Sequence, residues 1–343
     1  MKIVALFPEA TNEANSNQLL DDSHALDLKA YLEKFDEDIE FIVVNNDQDI
    51  DQHIEDMDVV ISAPFLPAYM DDKRINKASK LKLAITAGVG SDHVDLEAAS
   101  ANDITVVEVT GCNIISVAEH TVMDILILLR NYEEGHRQSR DGEWNLSAVG
   151  NNAYELQGKQ VGIFGYGQIG ELVAQRLQPF NVEVKHYRRS SQEDTPYSIY
   201  TDFDDLVATS DVLVILSPLT PETDDLFNYD VLSRMKKGSY VVNTARGKIV
   251  NKDDIVKLLE DGHIQGYGGD VWYPQPAPDD HPWRTMPRNA MTIHYSGMTL
   301  ESQARIEQGV KKLLHNFINN EAFDDKDVIV ASGDIRNNSY KSK

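Results

Sequence analysis

Cysteine is nearly absent from this chain of 343 residues, and so are long hydrophobic runs. The single cysteine, Cys112, excludes an intramolecular disulfide and suits a reducing compartment, so we expect a cytoplasmic protein. Cys112 is also a candidate for modification by thiol reagents, unless it is buried. Runs such as Ile125 to Leu129 are far too short to cross a bilayer, and residues 1–7 predict a β-strand rather than a signal peptide.

Positive charge is scarce as well. Lysine and arginine number 32 against 56 aspartates and glutamates, which gives a net charge of −24. Such a surface repels nucleic acids and anionic membranes, so we expect neither as a partner. The same field repels a small anionic substrate, and any anion site must therefore supply its own local cations.

Short hydrophobic runs alternate with helical stretches, which is the pattern of parallel sheets covered by helices on both faces. The chain is long enough for two domains. Predicted strands in the first third are Ile3–Phe7, Ile39–Val44, Val59–Ser62, Leu83–Thr86 and Thr105–Val107. Strands of a second series are Val161–Phe164, Val182–His186, Val212–Leu216 and Tyr240–Asn243, with later ones near Tyr267–Asp270 and Met291–Ile293.

Two long helical patterns accompany the second series. One runs from Ser116 to about Arg140, with hydrophobic residues at helical spacing, and the other from about Leu300 to Asn319. We therefore predict an α/β protein with two doubly wound parallel-sheet domains of the Rossmann or flavodoxin-like type. Residues 1–113 and 296–343 form one domain, residues 114–295 form the other, and the active site lies in the cleft between them.

A glycine motif predicts that the second domain binds a dinucleotide. The segment Gly165-Tyr-Gly-Gln-Ile-Gly170 follows a predicted strand and opens a helix, which is the context that the G-x-G-x-x-G fingerprint requires. Gly165 permits the turn, Gly167 lets the backbone approach a pyrophosphate, and Gly170 lets the helix pack on the strand. Gln168 and Ile169 complete the candidate cofactor loop at the positive end of the helix dipole.

The cofactor preference depends on the residues that follow the next strand. NAD sites usually place an acidic residue there, whereas this chain has Arg188, Arg189 and Ser190. Guanidinium groups favour a 2′-phosphate, so NADP is the preferred prediction. A solvated basic turn and NAD are the alternatives, because Glu193 or Asp194 would supply the acid if the loop is shifted.

Four segments carry candidate reactive residues. Arg246 and His294 each follow a predicted strand, where doubly wound sheets bind their ligands. Asn113 stands where the chain enters the second domain, and Asp270 and Gln275 begin and end the segment Asp270-Val-Trp-Tyr-Pro-Gln275. No cluster of histidine, cysteine and acidic residues has metal-ligand spacing, so we expect no metal.

Taken together, these segments resemble the D-2-hydroxyacid dehydrogenase superfamily, and within it the NAD(P)-dependent, metal-free formate dehydrogenases. The likeness runs nearly end to end. It includes Ala63-Pro-Phe65, Thr86 to Leu96, Ile115-Ser-Val-Ala-Glu-His120, Asn243-Thr-Ala-Arg-Gly-Lys248, Tyr273-Pro-Gln-Pro-Ala-Pro278 and His281-Pro-Trp-Arg-Thr-Met-Pro287. The last two segments are far more specific than the glycine motif. The resemblance implies oxidation of formate to CO₂ by direct hydride transfer to NAD(P)⁺.

The resemblance also implies roles for residues at matching positions. Arg246 and Asn113 would bind the formate oxygens, and His294, hydrogen-bonded to Gln275, would orient the carboxylate. Asp270 would bind the nicotinamide carboxamide. Phe65 and Val89 would form an apolar wall; relatives often carry Ile at the position of Val89. The cofactor cleft would be lined by Pro218, Thr223, Thr244, Ser296 and Gly297.

The usual homodimer of the superfamily is expected too. The helix from Ser116 and residues 131–152, which include Trp144 and Leu146, would supply its interface. The alternative is that Trp144 packs within its own subunit.

Gln275 separates the formate prediction from its nearest alternative. Hydroxyacid dehydrogenases pair the catalytic histidine with a carboxylate, because a hydroxyl proton must be removed. A neutral amide suits a substrate without such a proton, and formate is the simplest one. Two other functions stay open: a D-2-hydroxyacid dehydrogenase that acts on a larger substrate, and a cofactor-sensing, corepressor-like binding protein of the same architecture.

Overall fold

A computed structural model describes residues 1–10, 18–35, 38–337 and 340. The strands are, in chain order, β1 (Lys2–Leu6), β2 (Glu40–Val44), β3 (Val59–Ser62), β4 (Leu83–Thr86), β5 (Thr105–Glu108), β6 (Gln160–Phe164), β7 (Glu183–Tyr187), β8 (Ile199–Tyr200), β9 (Val212–Ile215), β10 (Ser239–Asn243), β11 (Ile264–Gly269), β12 (Asn289–Met291), β13 (Val328–Ala331) and β14 (Asp334–Ile335). The α-helices are α1 (Leu28–Leu32), α2 (Asp72–Lys77), α3 (Leu96–Ala101), α4 (Ile114–Leu129), α5 (Tyr132–Asp141), α6 (Leu146–Gly150), α7 (Gln168–Leu177), α8 (Phe203–Thr209), α9 (Tyr229–Leu232), α10 (Lys252–Glu260) and α11 (Leu300–Ile318).

The chain divides into two compact units, the first formed by Met1–Asn113 with Gly297–Lys343 and the second by Ile114–Ser296. The first unit contains a sheet in the order β14-β13-β5-β4-β3-β1-β2. Strands β1 to β5 pair in parallel, and β3 and β4 are buried along their whole length. Such strands lie inside the sheet with helices on both faces, as their continuous hydrophobic sequences predict.

The first sheet departs from the predicted parallel arrangement at one edge. β13 pairs antiparallel with β5, and β14 pairs antiparallel with β13. The run Val328–Ala331 is as long as β3 and β4, but its antiparallel place at the edge of the sheet depends on pairing with β5, far earlier in the chain. Thr110 holds the segment just before β13 in place, because its backbone N–H donates to Asp327 Oδ1 at 3.2 Å.

The second unit contains a parallel sheet in the order β12-β11-β10-β9-β6-β7-β8. The strand order changes direction between β6 and β9, which is the switch point where doubly wound sheets bind ligands. The carboxyl ends of these parallel strands meet at one edge. The loops that leave this edge contain Gly165 after β6, Pro218 after β9, Arg246 after β10, Asp270 after β11 and His294 after β12.

The long helix predicted in the second unit needs correction. The helix expected from Ser116 to Arg140 ends at Leu129, because Asn131 adopts a left-handed conformation with φ of 51° and donates from Nδ2 to the Val149 carbonyl at 3.1 Å. Asparagine tolerates this backbone conformation, so α5 starts in a new direction.

The strand expected at Met291–Ile293 is β12, which ends at Met291, and β8 was not predicted. Ser296 belongs to the second unit rather than the first, since its backbone N–H donates to Asp270 Oδ2 at 2.6 Å. Across the described ranges, no helix is long and apolar enough to span a membrane.

Candidate active site

The glycine loop after β6 has the geometry that its sequence predicts. Gly165 has a φ of +93°, and a Cβ there would lie 2.5 Å from the backbone nitrogen of Ser217. A Cβ on Gly170 would lie 3.0 Å from the Gly165 carbonyl oxygen, so helix α7 can approach β6 only with glycine. Gly167 caps α7, and a Cβ there would meet nothing within 4 Å. This open N-terminus with free N–H groups fits a pyrophosphate.

Arg188 and Arg189 follow β7 directly. Arg188 is half-buried, its Nε is buried without a hydrogen-bond partner among the described residues, and its guanidinium lies 5.9 Å from the centre of the Tyr166 ring. Arg189 lies 3.7 Å from a Glu222 carboxylate oxygen. Ser190 is exposed. Arg188 is therefore the cation that the fold holds in place next to the glycine loop.

An open pocket of about 500 Å³ adjoins the two arginines. Three acids, Asp202, Asp204 and Asp205, line the same pocket. The Asp202 carboxylate accepts the Asp205 N–H at 2.9 Å as the cap of α8, and Asp204 pairs with Arg234 at 2.7 Å. The pocket is thus lined by groups of both charges, and Arg188 and Arg189 supply its cations.

The predicted cleft residues Pro218, Thr223 and Thr244 hold their own loops. The Thr223 hydroxyl accepts the Thr220 N–H at 2.8 Å and lies 2.8 Å from the Pro218 carbonyl, to which it donates. Thr244 is buried, and its hydroxyl lies 2.9 Å from that of Thr121 on α4. These hydroxyls shape the backbone around the switch point.

Asn243 holds the turn that contains Arg246, a role that the sequence had not suggested. Its Oδ1 accepts the Ala245 N–H at 3.0 Å, and its Nδ2 donates to the Arg246 carbonyl at 2.9 Å. The turn also abuts the next loop, since a Cβ on Gly247 would lie 2.5 Å from the Trp272 carbonyl oxygen. The loops that carry Arg246 and Gln275 are therefore packed against each other.

Asp270 is fully buried, and hydrogen bonds hold both of its oxygens. Oδ1 accepts from the Thr292 hydroxyl at 2.5 Å and from the Tyr295 N–H at 2.9 Å, and Oδ2 accepts the Ser296 N–H at 2.6 Å. Asp270 thus fixes the segment that follows β12.

His294 and Gln275 are brought together as predicted from the resemblance. His294 Nδ1 lies 2.7 Å from Gln275 Oε1, and because an amide oxygen can only accept, Nδ1 carries the proton. His294 has a φ of +63°, a conformation that costs a non-glycine residue about 1–2 kcal/mol and is found at functional sites. His281 supports the same loop, donating from Nε2 to the Tyr273 carbonyl at 2.9 Å.

The remaining predicted site residues belong to the first unit. A Cβ on Gly297 would lie 2.7 Å from Asn113 Nδ2, so these two residues are in contact. Phe65 and Val89 are both half-buried and pack against the same hydrophobic core. Their segments also meet, since a Cβ on Gly88 would lie 2.9 Å from Pro64 Cδ.

Cys112, next to Asn113, is 3% exposed. Burial, together with the negative charge of Glu108, raises the pKa of its thiol to about 12. The thiolate is the reactive form, so this cysteine is inert packing rather than a target of thiol reagents.

Two further residues of the second unit, His120 and Asp124 on α4, were not singled out for the site. His120 Nε2 lies 3.1 Å from the Thr292 hydroxyl and 3.6 Å from Asp124 Oδ1. The spacing of four residues on one helix indicates the pair, but its link to Asp270 through Thr292 depends on tertiary structure. Across the described part of the chain, no group of three or more histidine, cysteine or acidic residues could hold a metal ion.

Comparison with known proteins identifies the family. Residues 122–296 match the model described as "D-isomer specific 2-hydroxyacid dehydrogenase, NAD binding domain". The chloroplastic/mitochondrial formate dehydrogenase of Arabidopsis thaliana is 43% identical over 345 residues, which cover 97% of this chain and 89% of that protein. The chain belongs to the formate dehydrogenases of the D-2-hydroxyacid dehydrogenase family.

Two further relatives agree with this family. The formate dehydrogenase of Pseudomonas sp. (strain 101) is 44% identical over 321 residues, which cover 91% of this chain and 79% of that protein. The crystal structure of NAD-dependent formate dehydrogenase from Staphylococcus aureus in complex with NAD has 66% identity and a TM-score of 0.94, and it covers 97% of this chain and 100% of that one. The predicted resemblance and the predicted α/β architecture with a Rossmann-type NAD-binding domain are thereby confirmed.

Proposed function

We propose that this chain oxidises formate to CO₂ by transferring a hydride to a nicotinamide dinucleotide. The observation that carries the proposal is the 2.7 Å hydrogen bond between His294 Nδ1 and the neutral amide of Gln275. An amide orients the imidazole without raising its pKa by charge, so the pair is poorly suited to remove a hydroxyl proton. Formate has no such proton, and its oxidation to CO₂ releases only the hydride.

Arg246 supplies the cation that a small anion needs in a chain with a net charge of −24. A guanidinium can hold the two formate oxygens through parallel hydrogen bonds, with Asn113 as a further donor. His294 then orients the carboxylate. The bound nicotinamide supplies the hydride acceptor. Precise positioning of the formate C–H is the main contribution that these residues make to the rate.

Charge is cancelled during this reaction, because formate loses its negative charge as it becomes CO₂. A dry, apolar lining formed by Phe65 and Val89 therefore favours the transition state over the charged ground state. Arg246 attracts the charged ground state at least as strongly as the transition state, so attraction alone does not speed the step, and Arg246 contributes mainly to affinity and orientation.

The first test mixes the protein with formate and follows the absorbance of the reduced nicotinamide, with NAD and NADP offered separately. D-Lactate with oxidised cofactor, and glyoxylate with reduced cofactor, are compared under the same conditions. Formate oxidation that greatly exceeds both supports the proposal. Faster turnover of a hydroxy acid or keto acid would instead favour a dehydrogenase of larger substrates, and no turnover at all would favour a binding protein.

For the cofactor, we propose NADP in preference to NAD. Arg188 occupies the place of the usual acidic residue, and its buried Nε lacks a partner among the described residues. Arg188→Asp should lower kcat/KM with NADP roughly 10- to 100-fold, the range for losing one charged hydrogen bond. Arg336→Asp, the same change at an exposed position of the first unit, is the control. A strong preference of the unmodified protein for NAD, as the name of the Staphylococcus aureus relative states for that enzyme, would refute this part.

We also propose a homodimer formed through the second unit. Trp144 and Leu146 are 85% and 73% exposed, which excludes packing of Trp144 within its own subunit. Ile115, Tyr132 and Tyr154, from the same part of the chain, are exposed too. Exposed apolar side chains concentrated in one segment are typical of an interface. Trp144→Asp should convert a dimer into a monomer in sedimentation experiments; a wild-type monomer would contradict the proposal.

A cytoplasmic location remains a proposal as well. It rests on the single cysteine, which suits a reducing compartment. Fractionation of the source cells followed by detection of the protein tests it, and recovery in an organelle fraction would contradict it.

A further inference from the structure

Asp124 is the most unusual ionisable group of the second unit. It lies in the middle of α4, it is 0% exposed, and neither of its carboxyl oxygens has a hydrogen-bond partner among the described residues. A buried carboxylate without partners is costly, so such a group is kept neutral by a proton. Burial, with the negative charge of Asp270 added, raises the pKa of Asp124 to about 8.

A chain of polar contacts joins Asp124 to Asp270. His120 Nε2 lies 3.6 Å from Asp124 Oδ1 and 3.1 Å from the Thr292 hydroxyl, which in turn donates to Asp270 Oδ1 at 2.5 Å. Burial lowers the pKa of His120, which favours the neutral imidazole. Whichever of the two residues holds the proton, its loss changes the charge of the Asp124–His120 pair from 0 to −1.

The surrounding elements supply few other charges to this pair. Asp270 follows β11, and Tyr295, which follows β12, stacks edge-on against His120 with ring centres 5.1 Å apart. On α7, the cation Arg176 forms an ion pair with Glu119 at 3.3 Å. On β10, the titratable group is the buried hydroxyl of Tyr240.

We propose that Asp124 is a positioning residue whose proton controls how well the site distinguishes oxidised from reduced nicotinamide. The inference rests on the proposed function, in which Asp270 holds the nicotinamide carboxamide. While Asp124 is neutral, Asp270 provides the negative charge of this region. When the pair ionises, a second negative charge is added, and it favours a cationic nicotinamide over the neutral reduced one. Asp124 acts through His120, Thr292 and Asp270 and contacts neither substrate nor cofactor.

The test measures the dissociation constants of NADP⁺ and NADPH by quenching of protein fluorescence, in the absence of formate. From about pH 6 to about pH 10, the ratio of the NADPH constant to the NADP⁺ constant should rise on the order of tenfold, as for unit charges about 10 Å apart at an effective dielectric constant of about 20. Asp124→Asn should abolish the rise, and Asp124→Glu should restore part of it. Asp230→Asn, which removes an exposed charge of the same unit, should behave like the wild type.

Infrared spectroscopy of the protein without cofactor gives an independent reading. The carbonyl band of a protonated carboxylic acid should be present near neutral pH, disappear at alkaline pH and be missing in Asp124→Asn. A wild-type ratio that does not change with pH, or an Asp124→Asn protein that keeps the full rise, would overturn the inference. Failure of the proposed function is distinguishable, because it appears as absent formate oxidation while the binding ratio still depends on pH.

Discussion

Replacing Gln275 by glutamate tests whether a neutral partner of His294 matters. Gln275 Oε1 lies 2.7 Å from His294 Nδ1, so a carboxylate in its place would bring the two charge centres to about 4 Å. Unit charges at that distance interact by about 1 kcal/mol in water and about 4 kcal/mol at an effective dielectric constant of about 20. Both side chains are half-buried, so we expect an interaction of about 2 kcal/mol, which would raise the pKa of the imidazole in this variant.

The sign of the effect follows from this raised pKa. The charged pair formed by His294 and the introduced carboxylate would stabilise the folded protein below the unfolded imidazole pKa of about 6.5, and that contribution would be lost as the pH rises through the raised pKa. Above that pH the imidazole is neutral and the carboxylate remains. An uncompensated negative charge next to the formate site should raise KM for formate by about tenfold or more.

Initial rates at varied formate concentration, measured from about pH 6 to about pH 10, give KM and kcat separately. The Gln275→Glu protein should show a KM that climbs with pH, whereas the wild type should lack this step. Gln52→Glu adds the same charge at an exposed position of the first unit and serves as the control. If the KM profile of Gln275→Glu coincides with that of the wild type, the charge of this partner is irrelevant and the reasoning fails.

Three further predictions concern other parts of the structure. Cys112 should resist iodoacetamide in the folded protein and react after denaturation, because its pKa is raised to about 12; rapid labelling of the native protein, measured by mass spectrometry, would contradict this. Gly297→Ala should raise KM for formate by about tenfold with little change in melting temperature, because the new Cβ displaces Asn113; an unchanged KM would remove Asn113 from the site. The folded pKa of Asp124, about 8, lies above its ordinary value of 3.8, so its contribution to stability is lost as the pH rises from about 4 to about 8. At about 1.4 kcal/mol per pH unit, the stability of Asp124→Asn relative to the wild type should increase by about 4 kcal/mol between about pH 5 and about pH 9; an equal difference in the free energy of unfolding at both pH values would refute this.

Local patterns in the sequence were sufficient for the parallel strands and for the glycine loop. The conformation of Gly165 depends on a backbone angle that glycine adopts readily, so the spacing of the motif carries the geometry with it. The pairing of His294 with Gln275 came from the resemblance, because residues 19 positions apart meet only after β11 and β12 have aligned.

Other features could not be read from the sequence for physical reasons. The helical periodicity continues past Asn131, so nothing in the hydrophobic pattern marks the left-handed residue that ends α4. The place of β13 in the first sheet depends on its antiparallel pairing with β5, far earlier in the chain, which no local pattern shows. The bond from Thr292 to Asp270 joins the ends of neighbouring strands, and the absence of a partner for Asp124 among the described residues is a property of its surroundings alone.

Gln275 and Asp124 satisfy the same requirement in different ways. Formate oxidation cancels charge, so each fixed negative charge near the reacting groups stabilises the cationic ground state or weakens the binding of the anion. At Gln275 the side chain is an amide and cannot ionise; at Asp124 the proton is held by burial and by the negative charge of Asp270. Asp270, by contrast, accepts hydrogen bonds on both carboxyl oxygens, from two backbone N–H groups and one hydroxyl. Asp270 is thus held by three donors, and the side chains of Gln275 and Asp124 are neutral at places where further negative charge would oppose the reaction. This is the arrangement that suits a hydride transfer from an anion that releases no proton.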